Sequence, residues 1–163
     1  MTAVTVVIPC GDRKAPHPAA ARDLYTGSMF RHTLAAAEVE AAWCAANGIP
    51  GRVLILSARH GLLTLEKVIG PYDLRMGQPG TVTPEAVTAQ AKALGIRQGC
   101  EVFGMLPRRY LAVLGKALRP LRVPVHDVYE GARGIGDQRH INAAVMAAWE
   151  NRGPAGAPPL PAP

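Results

Sequence analysis

Arg52-Val53-Leu54-Ile55-Leu56-Ser57 is the stretch that decides the fold. Its four central residues are all apolar, so neither alternating face is left polar. Such a strand is covered on both sides, which is the habit of a parallel sheet flanked by helices. Upstream, Ala3 to Ile8 is rich in β-branched residues and stops at Pro9, a second strand signature. Downstream, Cys100 to Met105 and Arg122 to His126 read as two more strands.

Helical segments separate them. Met29 to Asn47 is rich in Ala and Glu, with Phe30, Leu34, Ala37 and Ala41 on one face, Ser28 as N-cap and Gly48 as the stop. Thr83 caps a helix with Pro84 at its first position, running to about Gly95. Further helices are expected near Pro107 to Leu118 and from about Asp137 to Asn151. Strand and helix therefore alternate, which predicts a three-layer α/β/α sandwich around a mostly parallel sheet of about four strands. One domain spans residues 1–152, and the Pro/Ala/Gly-rich Gly153 to Pro163 is expected to be a flexible tail.

The composition agrees with that reading. At 163 residues, 48% hydrophobic and 18% charged, the chain suits a single domain with an ordinary core. Aromatics make up only 5%, so Ala, Val, Leu and Ile must build that core and each exposed Tyr draws notice. A formal charge of +6 and a pI of about 9.7 favour phosphate-bearing partners, either small ligands or nucleic acid. Cys10, Cys44 and Cys100 are odd in number and unpaired in spacing, which argues against a disulfide framework or zinc site. No His/Asp/Glu cluster has ligand spacing, so neither metal nor cofactor is expected. Met1 leads directly into the alternating Thr2 to Ile8, and no apolar run reaches a membrane span. The expectation is a cytoplasmic protein with no membrane partner.

Ligands of open α/β sheets gather beyond the carboxyl ends of the strands. Three loops rich in polar and glycine residues lie there, Pro9 to Ser28, Ala58 to Thr83 and Glu130 to Gly136, and loops as long as the first two usually serve a function. In the first, Cys10-Gly11-Asp12-Arg13-Lys14 offers a close backbone approach at Gly11 and cationic groups at Arg13 and Lys14. Cys10 reads either as a nucleophile or, more simply, as a small buried side chain. Tyr25 is a lid residue or a platform on which a base stacks.

In the second loop, Ser57-Ala58-Arg59-His60-Gly61 places His60 just past a strand end, suited to proton transfer or to holding a ligand oxygen. Asp73 beside Tyr72 offers a carboxylate to a sugar hydroxyl, a water or a base edge. Equally, Asp73 caps a turn and His60 bonds a carbonyl. In the third loop, Gly134-Ile135-Gly136 before a helix reads as an anion cradle, with Arg133 beside it and Glu130 as acid or base.

Four segments together carry a resemblance: Pro9-Cys10-xxx-Lys14, Asp23-Leu24-Tyr25-x-Gly27-xx-Phe30, Leu56-Ser57-Ala58-xx-Gly61-Leu62-Leu63 and Ile69-x-Pro71-Tyr72-Asp73. They resemble an uncharacterised family of bacterial and phage proteins similar to the YaaA-like peroxide-stress proteins, with Glu130-Gly131-xx-Gly134-x-Gly136 as its C-terminal feature. A more distant similarity is to the middle domain of archaeosine synthase, where a lysine after a Pro-Cys-Ser motif acts on a modified guanine base. Here Gly11 replaces that Ser, and Ala15-Pro16 follows the lysine. The fold expected also resembles uracil-DNA-glycosylase-like domains, which implies base or nucleoside handling as a class.

Two functions follow as expectations. The first is an enzyme acting on a nucleoside, nucleotide or nucleic-acid base by N-glycosidic cleavage or transfer. Asp12, Asp73 or Glu130 would be its carboxylate and His60 or Lys14 its donor. Tyr25 or Tyr72 would stack the base, and Arg13, Arg59 and Arg133 would hold phosphate. The second is a DNA- or RNA-binding protein without catalysis, using a broad stripe through Arg108, Arg109, Arg119 and Arg122.

Overall fold

A computed structural model describes residues 2–152; the tail expected at Gly153 to Pro163 lies outside the described residues. The elements run β1 (Val4–Pro9), β2 (Ala19–Ala20), α1 (Ala21–Leu24), α2 (Ser28–Ala46), β3 (Gly51–Ser57), β4 (Gly61–Thr64) and β5 (Val68–Ile69). They continue with α3 (Pro84–Ala93), β6 (Glu101–Gly104), α4 (Arg108–Leu118), a 3-10 turn (Arg119–Leu121), β7 (Val125–Asp127) and α5 (Ile135–Arg152).

The fold is mixed α/β, with a central sheet in the order β4-β3-β1-β6-β7. β1 pairs in parallel with β3 (Val6↔Val53) and β6 (Val6↔Phe103), and β6 pairs in parallel with β7. The all-apolar strands are explained by two hydrophobic clusters, one on each face. Val6, Ile8, Val53 and Ile55 meet Phe30, Leu34, Ala36 and Ala37 of α2. Their alternates Val7, Leu54, Leu56 and Val102 meet Val87 and Ala91 of α3 and Leu114, Ala117 and Leu118 of α4. Fully burying a Val, Leu or Ile side chain contributes about 1.5–3 kcal/mol. A polar residue at any of these strand positions would forfeit that on one face or the other.

Among the described residues the sheet has five strands rather than about four. The extra one, β4, runs antiparallel to β3 (Leu56↔Leu62) and lies inside the segment expected to be a loop, Ala58 to Thr83. That segment also holds β5, which pairs with β2 (Ala19↔Ile69) in a small antiparallel ribbon. Pro9 to Ser28 is likewise not all loop, since it contains β2 and α1. Ser28 is the first residue of α2, with Gly27 at the cap position, and its hydroxyl accepts from Arg139 Nη2 at 3.0 Å. The last strand starts at Val125, not Arg122, because Arg122 is left-handed (φ 55°) at the end of the 3-10 turn. α5 begins at Ile135 instead of Asp137.

From β1 the chain crosses to β3 on one side, and later returns past β1 to β6 on the other. The strand order thus reverses between β1 and β6. Ligands of open α/β sheets lodge at that point, outside the carboxyl ends.

Candidate functional site

Beyond the carboxyl ends of β1 and β3 lies a polar cluster. Ser57, the last residue of β3, is buried, and its Oγ accepts the backbone N–H groups of Arg59 (3.2 Å) and His60 (3.0 Å). Both lone pairs are then used, so the Ser57 hydroxyl donates to Tyr72 Oη at 2.7 Å. Tyr72 in turn donates to Tyr25 Oη at 2.7 Å. The chain of hydroxyls therefore has one direction, set by two amides of the turn after β3.

That turn is itself clamped by Gln90 of α3, whose Oε1 accepts from Leu62 N–H (2.8 Å) and whose Nε2 donates to the His60 carbonyl (2.7 Å). Gly61 allows this. Its φ is +74°, and a Cβ there would stand 2.1 Å from Gln90 Oε1.

Lys14 joins the cluster from the loop after β1. It bridges to Tyr25 through the backbone, and its Nζ lies 4.4 Å from the centroid of the Tyr72 ring. Its Nζ also donates to the Asp12 carbonyl at 3.3 Å. His60 meets the Tyr72 ring edge-on, centroids 5.4 Å apart. Cys10 stands at the switch point, with Sγ 3.3 Å from the hydroxyl of Tyr110 on α4. The segment 70–80 covers this end of the sheet. It supplies Tyr72, buries Met76, and sets Arg75 against Asp12 at 3.7 Å.

Burial sets the protonation of the cluster. It pushes Tyr25 up to about 12, and raises Tyr72 and Tyr110 as well, with the nearby Cys10 sulfur adding to each. Burial, then the neighbouring Arg59, lowers His60. At neutral pH the three phenols are therefore donors and the imidazole is mainly neutral. The site presents hydroxyl protons and one lysine, held in register by backbone amides.

Of the residues expected from sequence, the fold brings together Cys10, Lys14, Tyr25, Ser57, His60 and Tyr72. Tyr25 is 1% exposed and its ring packs on Phe30, so its hydroxyl serves the cluster and no ring face is open to a base. Gly11 backs the site by tight packing, since a Cβ there would lie 3.3 Å from Phe30 Cβ. Asp12 and Arg13 are exposed on the same loop, Arg59 is exposed beyond β3, and Asp73 is exposed with no hydrogen bond or ion pair among the described residues.

Glu130 is not in this cluster. It lines a hollow of about 240 Å³ at the ends of β6 and β7, with Leu106, Arg108, Asp127, Tyr129, Gly131, Ala132 and Gln138. Arg133, Gly134 and Gly136 do not line it. Gly134 and the Arg133 amide instead start α5, where Asp137 Oδ2 accepts the Arg133 N–H at 2.8 Å.

Sequence reasoning missed Tyr110, Gln90, Asp127 and Gln138, and it placed Arg108 on a basic stripe and not at the hollow. Tyr110 alone had a signal, as one of four tyrosines in a chain poor in aromatics. Among the described residues, no three His, Cys, Asp or Glu side chains are placed to hold a metal, and no helix is long and apolar enough to cross a membrane. A comparison with curated proteins finds no match. A family model does match, over residues 5–142, which takes in the central sheet from the second residue of β1 onward and the whole polar cluster. The chain belongs to that family, a family of unknown function (DUF6884).

Proposed function

We propose that this chain, read as a three-layer α/β/α sandwich, is an enzyme acting on a nucleoside, nucleotide or nucleic-acid base, by cleavage or transfer at the N-glycosidic bond. The observation that carries the reading is the convergence of Lys14, His60 and the directed Ser57–Tyr72–Tyr25 chain beside the switch point. A fold gains little stability from gathering so many unlike polar groups at strand ends, whereas a base with several edge donors and acceptors needs them. The resemblance of the Pro9-to-Lys14 and Tyr72 segments to YaaA-like proteins and to the archaeosine synthase middle domain supports the same class.

In hydrolysis, water adds its oxygen to the anomeric carbon, the carbon–nitrogen bond breaks, and the base leaves with a proton. Lys14 and the N–H of neutral His60 would hydrogen-bond the departing base. Asp12, on the loop of Lys14, or Asp73, on the covering segment, would steady the sugar cation or the water.

A second reading, DNA or RNA binding without catalysis, is favoured by one observation. Arg108, Arg109, Lys116, Arg119 and Arg122 are all exposed along α4 and its following turn, a basic surface roughly 16 Å long.

Thermal shift with nucleobases, nucleosides, nucleotides and short oligonucleotides at two salt concentrations separates the two. A salt-resistant rise with one nucleoside or nucleotide, followed by release of free base, supports the enzyme. A rise with oligonucleotides alone, lost as salt increases, supports the binding protein. No shift with any of them overturns both.

A further inference from the structure

The hollow at the ends of β6 and β7 holds an unusual set of groups. Arg108 brings a guanidinium, Asp127 and Glu130 bring carboxylates, and Gln138 brings an amide. No ion pair joins the arginine to either acid among the described residues, although all line the same 240 Å³. Asp127 is fixed through one oxygen, Oδ1, which accepts the Tyr129 N–H at 2.9 Å.

Tyr129 turns its hydroxyl away from the hollow. That hydroxyl donates to Asn142 Oδ1 at 2.7 Å, and Asn142 is fully buried and donates to Thr33 at 3.2 Å. The wall is thus locked to α2 and α5, and the open groups are the charged ones.

These features select a ligand chemistry. Carboxylates only accept hydrogen bonds, so Asp127 and Glu130 call for hydroxyl donors. A guanidinium only donates, and it suits a phosphate bidentately. No aromatic face is open here, since Tyr129 is only 5% exposed, so the hollow is unsuited to stacking a base. Its volume lies below the roughly 300 Å³ of the smallest pockets for drug-sized ligands, which fits a fragment of a larger molecule. Hydroxyls and a phosphate on one small fragment describe a sugar phosphate.

β7 stands two strands from β1, about 10 Å at sheet spacing, a distance one nucleotide spans. We infer that this hollow is the sugar-phosphate subsite of the ligand whose base occupies the cluster at β1 and β3, with Arg108 on the phosphate and Asp127 and Glu130 on the hydroxyls. This inference rests on the nucleotide-enzyme reading above. It assigns Arg108, Asp127 and Gln138 to the site.

The test is calorimetric titration of ribose 5-phosphate, inorganic phosphate and ribose into the full chain and into Arg108→Gln, Glu130→Gln and Asp127→Asn. Asp127→Asn keeps an oxygen for the Tyr129 amide, so it separates lost binding from lost structure. Arg119→Gln, at the other end of α4, controls for net charge. Ribose 5-phosphate should bind more tightly than either phosphate or ribose, and each of the three variants should weaken it at least tenfold while Arg119→Gln leaves it unchanged.

Equal weakening by Arg119→Gln, or no effect of the three variants, overturns the subsite. Nucleoside binding without ribose 5-phosphate binding overturns it too, while the nucleotide reading stands. Ribose 5-phosphate binding that follows the variants, with no nucleoside or nucleobase bound, supports the subsite and overturns the base-handling reading.

Discussion

The two strand-end regions differ in how their polar groups are satisfied. At β1 and β3 the hydroxyls of Ser57, Tyr72 and Tyr25 bond one another, two amides fix their direction, and a loop covers them. At β6 and β7 the charged groups of Arg108 and Glu130 face a hollow without bonding each other, and only Asp127 is anchored. One region is therefore a rigid part of the fold that also offers chemistry. The other can be altered at little cost to the fold. Stability and function should separate cleanly between them.

The largest effect expected is on alkaline stability. Every one of the four tyrosines is held above the usual phenol range by burial, and three of them belong to the first region. A raised folded value means the stabilisation is complete below the unfolded value of 10. It is lost as pH climbs through the folded value, about 12 for Tyr25. Absorbance of ionised tyrosine should show no step near pH 10 and should rise together with loss of helix. A separate step near pH 10 for three tyrosines would break the contrast.

Next in size, Tyr25→Ala removes a ring that is 1% exposed and should cost about 3–5 kcal/mol in denaturant unfolding. Tyr72→Phe keeps the ring but strands the Ser57 hydroxyl, and about 1–3 kcal/mol is expected. Gly61→Ala forces a left-handed alanine and moves Gln90 off the turn, which should cost a similar 1–3 kcal/mol or so.

At the small end, Glu130→Gln and Asp73→Ala should change stability by less than about 0.5 kcal/mol, because both side chains are exposed and unpaired among the described residues. Each should nonetheless weaken ligand binding, as should Lys14→Ala. A large loss of stability in Glu130→Gln would mean that the hollow, too, is part of the framework.

The strands and helices were largely legible because their residues obey one rule each. Val53 to Leu56 is apolar throughout since both faces of β3 are covered, and Thr83-Pro84 starts α3 where a cap and a fixed φ belong. β4 was missed because four residues, Gly61 to Thr64, are too short for a period to emerge. Its signal was the tight turn Ala58-Arg59-His60 closing on a glycine, a hairpin feature inside an otherwise parallel pattern. The first cluster was legible through residues directly following strand ends. Tyr110 and the place of Arg108 at the hollow were not, because both residues sit on a helix whose first turn meets the site only after β6 is laid beside β1. The Gly134 and Gly136 pair was read at a helix start, and α5 does begin between them, with Asp137 accepting the Arg133 amide.

The place of β1 in the sheet has a consequence for how the chain is made. This strand leaves the ribosome well before β6, its partner on one side, to which it is joined through Val4↔Glu101. At roughly 5–20 residues per second, synthesis takes about 5–20 s to reach that partner. For that interval the central strand has one edge open, with β3 already available on the other. The nascent chain must keep a hydrophobic, hydrogen-bonding edge from neighbouring chains until its own second half arrives.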